Sequence, residues 1–171
     1  MAPASDPFEV ALRQLERRAR TVFEVRKNLR GRGFSAAQTA GVISRLSGLG
    51  YLDDLAYAVR YAAWAAMEKP MGRRRVAHEL MRRGIDRDTI DRALGSAFKD
   101  NEEAGALDRA LKRSVRGARV PPDEKTLQRV TSYLLRRGFK AAQVMAAVRA
   151  WAEGSSGHRA AAGQAGEEFE E

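Results

Sequence analysis

The chain has 171 residues, with 31 Lys and Arg against 22 Asp and Glu, so its formal net charge is +9. It contains no Cys and two His, which excludes a disulfide scaffold, a thiol nucleophile and a zinc knuckle. Leu, Ile, Val and Phe account for only 34 residues, whereas Ala accounts for 30. This composition lies near the boundary between globular and disordered chains, so a folded structure requires ordered periodicity.

The charge is unevenly distributed along the chain. Residues 154–171 are small, polar and finally acidic, with a net charge of −3, which leaves +12 for residues 1–153. We predict a disordered tail over 154–171. The cationic body favours a polyanionic partner through counterion release and electrostatic steering, although the charge could serve solubility alone.

Helices are predicted along most of the chain. Apolar residues recur three and four positions apart, and no stretch alternates with a period of two, which favours an all-α fold. Asp6 followed by Pro7 and Glu9 predicts the first helix start, because Asp caps backbone N–H groups and Pro presets φ. Ser35 and Gln38 form a second capping box. Further starts are predicted at Asp53 or Asp54, at Asp86 and at Asp123.

One motif occurs three times and predicts a helical repeat. Its copies are Val25-x3-Leu29-x2-Arg32-Gly33-Phe34, Val76-x3-Leu80-x2-Arg83-Gly84-Ile85 and Val130-x3-Leu134-x2-Arg137-Gly138-Phe139. The glycines are 51 and 54 residues apart, and an apolar residue follows each by ten positions, namely Ile43, Leu94 and Val148. Val and Leu lie on one helix face, and Gly after the last turn can adopt the left-handed conformation. Each copy is therefore the end of one helix and the passage to the next.

A helix before each motif completes a three-helix unit. These helices are predicted at about 7–18, 54–68 and 101–116, with Leu12, Leu15, Leu107 and Leu111 facing inward. Units of this size bury little alone and must stack. The fold prediction is therefore all-α, with three tandem three-helix repeats forming an elongated, curved array. The predicted repeats are residues 7–49, 50–99 and 100–153.

Basic residues gather in every predicted unit. They are Arg17, Arg18, Arg20, Arg26, Lys27, Arg30 and Arg32, then Lys69, Arg73, Arg74, Arg75, Arg82 and Arg83, then Lys112, Arg113, Arg116, Arg119, Arg136, Arg137 and Lys140. Arg75, His78 and Arg82 share one helix stripe, which can follow phosphates or bind carboxylates. Each cluster alone could be a solvated face, but three at equivalent positions favour a binding surface.

The predicted helix over 54–68 is nearly uncharged. Tyr57, Tyr61 and Trp64 form one stripe, and another contains Ala56, Val59, Ala63 and Met67. A helix that is apolar on most sides is usually buried, so we favour core packing. The alternative is an aromatic platform for bases or for a partner helix. Trp151, near the end of the last helix, is expected to be a packing anchor.

Signals for catalysis are weak. The sequence contains no G-x-x-x-x-G-K-[ST], G-x-G-x-x-G, H-E-x-x-H or G-x-S-x-G motif. Asp53 and Asp54 are adjacent and would point apart on a helix, so they are better explained as caps. His78 has no nearby Ser or Cys in the sequence. We therefore expect a protein that is not an enzyme and that has no cofactor and no metal site.

Two segments in the middle of the chain resemble the signature of the RecX family, regulatory proteins of the RecA recombinase. They are Gly50-Tyr51-Leu52-Asp53-Asp54-Leu55-Ala56-Tyr57-Ala58 and Gly72-Arg73-Arg74-Arg75-Val76-Ala77-His78-Glu79-Leu80-Met81-Arg82-Arg83-Gly84-Ile85. Ala11-Leu12-x2-Leu15 and Leu134-x2-Arg137-Gly138-Phe139 are similar to the family's first and third repeats. The resemblance covers about residues 8–152 and implies the same three tandem repeats that the motif predicts.

The resemblance also implies a function. A RecX-like protein would bind along the groove of the RecA–DNA filament and inhibit or destabilise it, which damps strand exchange, ATP hydrolysis and the co-protease activity that triggers the SOS response. The mechanism would be competitive occupancy without chemistry. The expected partners are the RecA filament and, more weakly, single- and double-stranded DNA. We expect a cytoplasmic monomer that does not associate with membranes.

The candidate residues form two groups. The expected filament and DNA contacts, led by Arg73, Arg74, Arg75 and Arg82, are Arg26, Lys27, Arg30, Lys69, Arg73, Arg74, Arg75, Arg82, Arg83, Lys112, Arg113, Arg136 and Arg137. The expected structural motif residues are Gly33, Gly50, Tyr51, Leu52, Asp53, Asp54, Gly84 and Gly138.

Three alternatives stay open from the sequence. The protein could modulate a recombinase filament, bind nucleic acid generally without RecA, or act purely as a protein-interaction scaffold. The acidic tail adds a separate hypothesis, since it could fold back on the basic body and compete with the filament. The simpler alternative is a solvating tail.

Overall fold

The chain is helical throughout the part that can be described. This computed structural model describes residues 6–99, 102–119 and 121–163, with side chains as far as Gly154. Within these ranges there are nine α-helices and no strand, which confirms the all-α prediction. In chain order they are α1 (Pro7–Arg17), α2 (Val22–Gly31), α3 (Ala36–Gly48), α4 (Asp54–Met67), α5 (Arg73–Arg82), α6 (Arg87–Ala97), α7 (Glu102–Val115), α8 (Glu124–Arg136) and α9 (Ala141–Gly163). None of the helices in the described ranges is both long enough and apolar enough to cross a membrane.

Side-chain caps set the helix starts where the sequence predicts them. The carboxylate of Asp6 accepts a hydrogen bond from a backbone N–H of the first turn of α1 at 3.0 Å. Ser35 and Gln38 form the predicted reciprocal capping box at the start of α3. Asp86 and Asp123 cap α6 and α8, with N–H to carboxylate distances of 2.9 and 2.8 Å. These bonds satisfy N–H groups that have no partner within the helix.

The repeated glycine motif ends three helices, as predicted. Gly33, Gly84 and Gly138 have φ values of +89°, +76° and +86°. After the first of them, the N–H of Phe34 donates to the carbonyl oxygen of Leu29 at 3.2 Å, and an equivalent bond follows the second. The left-handed glycine thus turns the chain so that the next apolar residue packs back on the helix it has left.

The chain divides into two compact units, of which the first is Met1–Trp64 with Val76–Phe98. In this unit α1, α2 and α3 enclose one hydrophobic cluster. Its buried members are Ala11, Val25, Leu29, Phe34, Val42, Leu46 and Leu52. Leu12 and Leu15, which the sequence predicts to face inward, are only half-buried, and the small side chain of Ala11 occupies the fully buried position on α1.

The second unit is Ala65–Arg75 with Lys99–Glu171. Here α7, α8 and α9 enclose a second cluster, whose buried members are Ala106, Leu107, Ala110, Leu111, Val130, Leu134, Phe139, Val144 and Val148. Leu107 and Leu111 face inward, as predicted. Trp151 packs half-buried against the same cluster, which agrees with its expected role as an anchor. The limits of the three predicted repeats, 7–49, 50–99 and 100–153, stay a prediction.

Helix α4 buries alanines rather than its large side chains. Ala58, Ala62, Ala65 and Ala66 are at most 1% exposed. Met67 is 61% exposed and Trp64 43% exposed, so the expectation that this helix is buried on most sides is wrong for its last turns. The apolar composition of α4 conceals this, because only the small residues on one face are needed for close packing.

Helix α9 continues to Gly163 and therefore overlaps the first ten residues of the predicted tail, 154–171. Residues 164–171, which include the acidic end, lie outside the described residues, as do the side chains of residues 155–163.

Candidate nucleic-acid interface

The predicted contact cations differ in their exposure. Ten are exposed, namely Arg26, Lys27, Arg30, Lys69, Arg74, Arg75, Arg82, Lys112, Arg113 and Arg136. Three are half-buried, namely Arg73, Arg83 and Arg137. Exposure alone does not separate a binding cation from a structural one, because several of the exposed side chains also bond to the protein itself.

Three arginines of the second unit bond to carbonyl oxygens at the end of α4 and in the residues that follow it. Arg109 donates to the carbonyl oxygen of Ala66 at 3.2 Å, and Arg113 donates to that of Glu68 at 2.8 Å. Arg137 donates to the carbonyl oxygen of Lys69. Cations bonded to the last carbonyls of a helix satisfy acceptors that have no partner and complement the helix dipole. Two predicted contact residues, Arg113 and Arg137, therefore have a structural role as well.

Arg83 is likewise engaged inside the first unit. Its guanidinium contacts Glu24 at 3.0 Å and lies 5.3 Å from the centre of the Tyr61 ring. Its carbonyl oxygen accepts a 2.7 Å hydrogen bond from the hydroxyl of Thr21, a fully buried residue that also caps α2. The roles of Thr21 and Glu24 could not be predicted from the sequence, since single polar residues between apolar ones give no periodic signal. The side chain of Arg83 therefore connects α2 and α4 within the first unit, which limits its use as a contact for a partner.

A cavity of about 340 Å³ in the first unit is lined mainly by arginines. We call it the arginine cavity, and its lining residues are Val10, Arg13, Gln14, Arg17, Arg20, Asn28 and Arg32. Two of its guanidinium groups are partly neutralised, since Arg13 contacts Glu9 at 3.1 Å and Arg20 contacts Glu24 at 3.7 Å. Guanidinium groups bind phosphate oxygens through paired N–H donors, so a cavity lined by arginines suits a phosphate group. The basic cluster named from the sequence includes three of these arginines but not Arg13.

A second cavity of the first unit combines aromatic and cationic side chains. We call it the aromatic groove; it has a volume of about 600 Å³ and is lined by Arg18, Ala19, Tyr57, Arg60, Tyr61 and Trp64. The rings of Tyr57 and Tyr61 are parallel within 7°, with centres 6.4 Å apart, and the centres of the Tyr61 and Trp64 rings are 5.7 Å apart. The stripe favoured as core by the sequence therefore lines a groove. Burial raises the pKa of the Tyr57 hydroxyl above its usual value.

Two adjacent carboxylates, those of Asp53 and Asp54, lie at the start of α4. Asp53 accepts from the N–H of Ala56 at 2.8 Å and so caps its own helix. Asp54 instead accepts from the N–H of Val22 at 2.9 Å, at the start of α2. Burial raises the pKa of the Asp54 carboxyl more than this bond lowers it. The pair thus acts as two caps on two different helices.

The remaining residues of the Gly50–Asp54 segment shape the same turn. Gly50 has φ +75° and Leu52 is buried in the core of the first unit, whereas the side chain of Tyr51 is exposed. These positions are spatially close but bring no reactive groups together.

Comparisons with known proteins identify the chain. The family models for the first and second three-helix domains of RecX match residues 8–46 and 53–94. The regulatory protein RecX of Halorhodospira halophila is 35% identical over 83% of this chain and 86% of its own length. The chain belongs to the RecX family. The regulatory protein RecX of Trichlorobacter lovleyi is 32% identical over 80% of this chain and 89% of its own length.

A solved structure agrees with this RecX fold. The crystal structure of a regulatory protein RecX superposes with a TM-score of 0.72 at 22% sequence identity, covering 84% of this chain and 71% of the other. RecX relatives are named as regulatory proteins, which agrees with the prediction that this RecX chain is not an enzyme. All residues that line the aromatic groove and the arginine cavity lie within the two ranges, 8–46 and 53–94, that the RecX family models match.

Proposed function

We propose that this protein binds the RecA–DNA filament and inhibits the recombinase without performing chemistry. The observation that carries the proposal is its similarity, over about four fifths of the chain, to relatives named regulatory protein RecX. Occupying the filament would limit strand exchange, ATP hydrolysis and the co-protease activity that starts the SOS response. We further propose that the protein is cytoplasmic, where its partner assembles on chromosomal DNA, and that it acts as a monomer.

The charge of the protein supports a polyanionic partner. Residues 1–153 have a net charge of +12, and ten of the thirteen predicted contact cations are exposed. A nucleoprotein filament presents phosphates along its whole length, and cations that neutralise them release condensed counterions. We propose that the exposed cations of the three predicted repeats, 7–49, 50–99 and 100–153, make these contacts, with weaker binding to single- and double-stranded DNA alone; Arg113 is excepted, because it bonds to the carbonyl oxygen of Glu68.

A titration of the DNA-dependent ATPase of RecA tests this function. We expect suppression at protein concentrations at or below that of RecA, at moderate salt, and with RecA assembled before the protein is added. Suppression that follows the amount of DNA instead of the amount of RecA would contradict filament binding. Unchanged ATPase activity at all ratios would contradict it as well.

General nucleic-acid binding is a second candidate, favoured by the arginine cavity, whose four lining arginines could bind phosphates without RecA. A general binder would inhibit only at amounts that coat the DNA, and its inhibition would be lost as salt rises. Replacing the RecA filament by naked DNA in a binding assay separates the two candidates. A scaffold that contacts proteins alone would bind no DNA even at low salt.

A further inference from the structure

None of the aromatic side chains of α4 is among its fully buried residues. The face of α4 that packs is made of Ala58, Ala62, Ala65 and Ala66, whereas Trp64 is 43% exposed. Large aromatic side chains that line an open groove leave apolar surface in contact with water. Such an arrangement is typical of a binding surface more than of a packing surface.

The rings of the groove are held in place before any ligand arrives. The guanidinium of Arg83 lies 5.9 Å from the centre of the Tyr57 ring and 5.3 Å from that of Tyr61. Arg83 is itself held by an ion pair with Glu24 at 3.0 Å. Arg83 is not among the described residues that line the groove. Cation–π contacts from outside the lining therefore orient both tyrosine rings. A preorganised set of rings loses little side-chain freedom when it binds.

The charges at the groove select the ligand. Arg18 and Arg60 line it together with the three rings, and no acidic residue is among the described lining residues. The preceding residue, Arg17, lines the arginine cavity, so the connection from α1 to α2 borders both cavities. A ligand with flat π-systems and regularly spaced negative charges suits this combination. Single-stranded nucleic acid has both, whereas a duplex hides the faces of its bases.

We infer that the aromatic groove formed by Tyr57, Tyr61 and Trp64 stacks unpaired bases of single-stranded DNA, while Arg18 and Arg60 contact the adjoining phosphates. Grooves of this kind in single-strand-binding proteins combine cationic side chains with aromatic rings and tolerate any base sequence. The inference rests on the binding to single-stranded DNA that is part of the proposed function and deepens it, because it names the surface that binds and the side chains that contact the bases.

Tryptophan fluorescence provides a direct test. The chain has two Trp residues, so a Trp151→Phe protein reports on Trp64 alone. The probes are an oligothymidylate of about 12 nucleotides, within the usual range of site sizes, an abasic oligonucleotide of the same length and charge, and a duplex. We expect oligothymidylate to quench Trp64 and to bind about tenfold more tightly than the abasic probe, because each stacked base adds affinity.

Variants separate stacking from charge. Tyr61→Ala should remove the preference for oligothymidylate over the abasic probe. Trp64→Ala should do the same, whereas Trp64→Phe should retain most of the preference. Because these two variants lack the Trp64 reporter, their binding is measured by the anisotropy of labelled probes. Arg60→Ala should weaken the binding of both probes by a similar factor. Tyr51→Ala is the matched control, since it removes an exposed aromatic side chain outside the groove, and it should change neither affinity.

Two results would overturn the inference. One is equal affinity of the wild-type protein for the two probes. The other is an undiminished preference for bases in folded Trp64→Ala and Tyr61→Ala proteins, with folding checked by circular dichroism. The RecA ATPase titration is run on the same variants. Suppression of the RecA ATPase without a preference for bases would support the proposed function and contradict the inference about the groove. A preference for bases without suppression would support the groove and contradict filament inhibition.

Discussion

Gly72 and Gly138 meet backbone to backbone in the second unit. The N–H of Gly72 donates to the carbonyl oxygen of Arg137 at 2.9 Å. A Cβ atom added to Gly72 would lie 2.5 Å from the carbonyl oxygen of Gly138, and one added to Gly138 would overlap the backbone of Arg75. Because these neighbours are backbone atoms, they cannot rotate away as a flexible side chain could. The two glycines are therefore a packing requirement as well as a turn requirement.

We predict that Gly72→Ala lowers the free energy of unfolding by about 2–3 kcal/mol, since the backbone of both segments must shift to admit a methyl group. Urea unfolding followed by circular dichroism measures the change. Gly41→Ala is the matched control, because a Cβ there, inside α3, has no neighbour within 4 Å. That control should gain about 0.5–1 kcal/mol from helix propensity. Similar changes for the two variants would contradict the close approach.

Gly84 and Gly117 share a φ of +76° but differ in their neighbours. A Cβ on Gly84 would overlap the Cβ and Cγ atoms of Phe23, whereas a Cβ on Gly117 meets nothing within 4 Å. We predict that Gly117→Ala costs about 1–2 kcal/mol from left-handed strain alone. Gly84→Ala should cost at least about 1 kcal/mol more, from the additional overlap.

A double-mutant cycle isolates that overlap. Combining Gly84→Ala with Phe23→Gly, which removes both the Cβ and the Cγ atoms, should recover the additional loss measured relative to Phe23→Gly alone, leaving only the strain that Gly117→Ala also shows. Additive losses in thermal or urea unfolding would mean that Phe23 does not obstruct the new methyl group. Gly84→Val should be still less stable, since a β-branched residue resists a positive φ.

Asp54 is expected to make stability fall as pH rises. Burial raises the pKa of its carboxyl above the usual 3.8, so the folded state holds the proton more tightly than the unfolded state. Its stabilising contribution is complete below the unfolded pKa and is lost as pH rises through the folded pKa. In Asp54→Asn a neutral amide oxygen can still accept from Val22. The stability of Asp54→Asn relative to wild type should therefore increase between about pH 3.5 and 7.

Asp86 provides the control of opposite sign. Hydrogen bonds from the backbone and side chain of Thr89 lower the pKa of the Asp86 carboxyl below its usual range. Its contribution is present above the unfolded pKa and lost as pH falls through the folded pKa. Because the folded pKa lies below the unfolded value of 3.8, Asp86→Asn should lose stability relative to wild type as pH rises from about 2 to about 4. If thermal unfolding gave the two Asn variants the same pH trend, the assigned causes would be wrong.

The sequence was informative where local chemistry decides structure. Caps such as Asp6 and Ser35 and the motif glycine Gly33 act within a few residues, so their roles follow from spacing. The sequence could not choose between Asp53 and Asp54 as a cap, because the second carboxylate bonds to a helix start 32 residues earlier in the chain. Non-local bonds of this kind leave no periodic trace.

The candidate site shows the same limit. Tyr57, Tyr61 and Trp64 share a helix stripe that equally fits a core or a groove. The choice depends on whether α4 packs through its alanines, which is a property of tertiary structure. Likewise, all arginines look alike in a basic cluster, and only the folded structure separates Arg137, bonded to a carbonyl oxygen, from exposed Arg74. The cationic surface could be predicted from the sequence, but its division into arginines that bond to the protein itself and arginines that face solvent could not.

That division predicts opposite consequences for two pairs of arginines. Arg74 and Arg82 are exposed on α5, so replacing both by Ala should change the free energy of unfolding by no more than about 0.5 kcal/mol. The same pair should weaken DNA binding and reduce the slope of log affinity against log salt by about 1 for each lost phosphate contact. Fluorescence anisotropy with labelled DNA at several salt concentrations measures that slope.

Replacing Arg113 and Arg137 by Ala should instead lower stability and change DNA binding less than the Arg74 and Arg82 pair does. Their loss leaves the carbonyl oxygens of Glu68 and Lys69 without these donors, which should cost about 1–2 kcal/mol of unfolding free energy in total. Both pairs remove two positive charges, so the effect of net charge on DNA affinity is matched between them. A stable Arg113→Ala/Arg137→Ala protein with strongly reduced DNA binding would assign these arginines to the binding surface. Unchanged DNA binding by Arg74→Ala/Arg82→Ala would remove α5 from it.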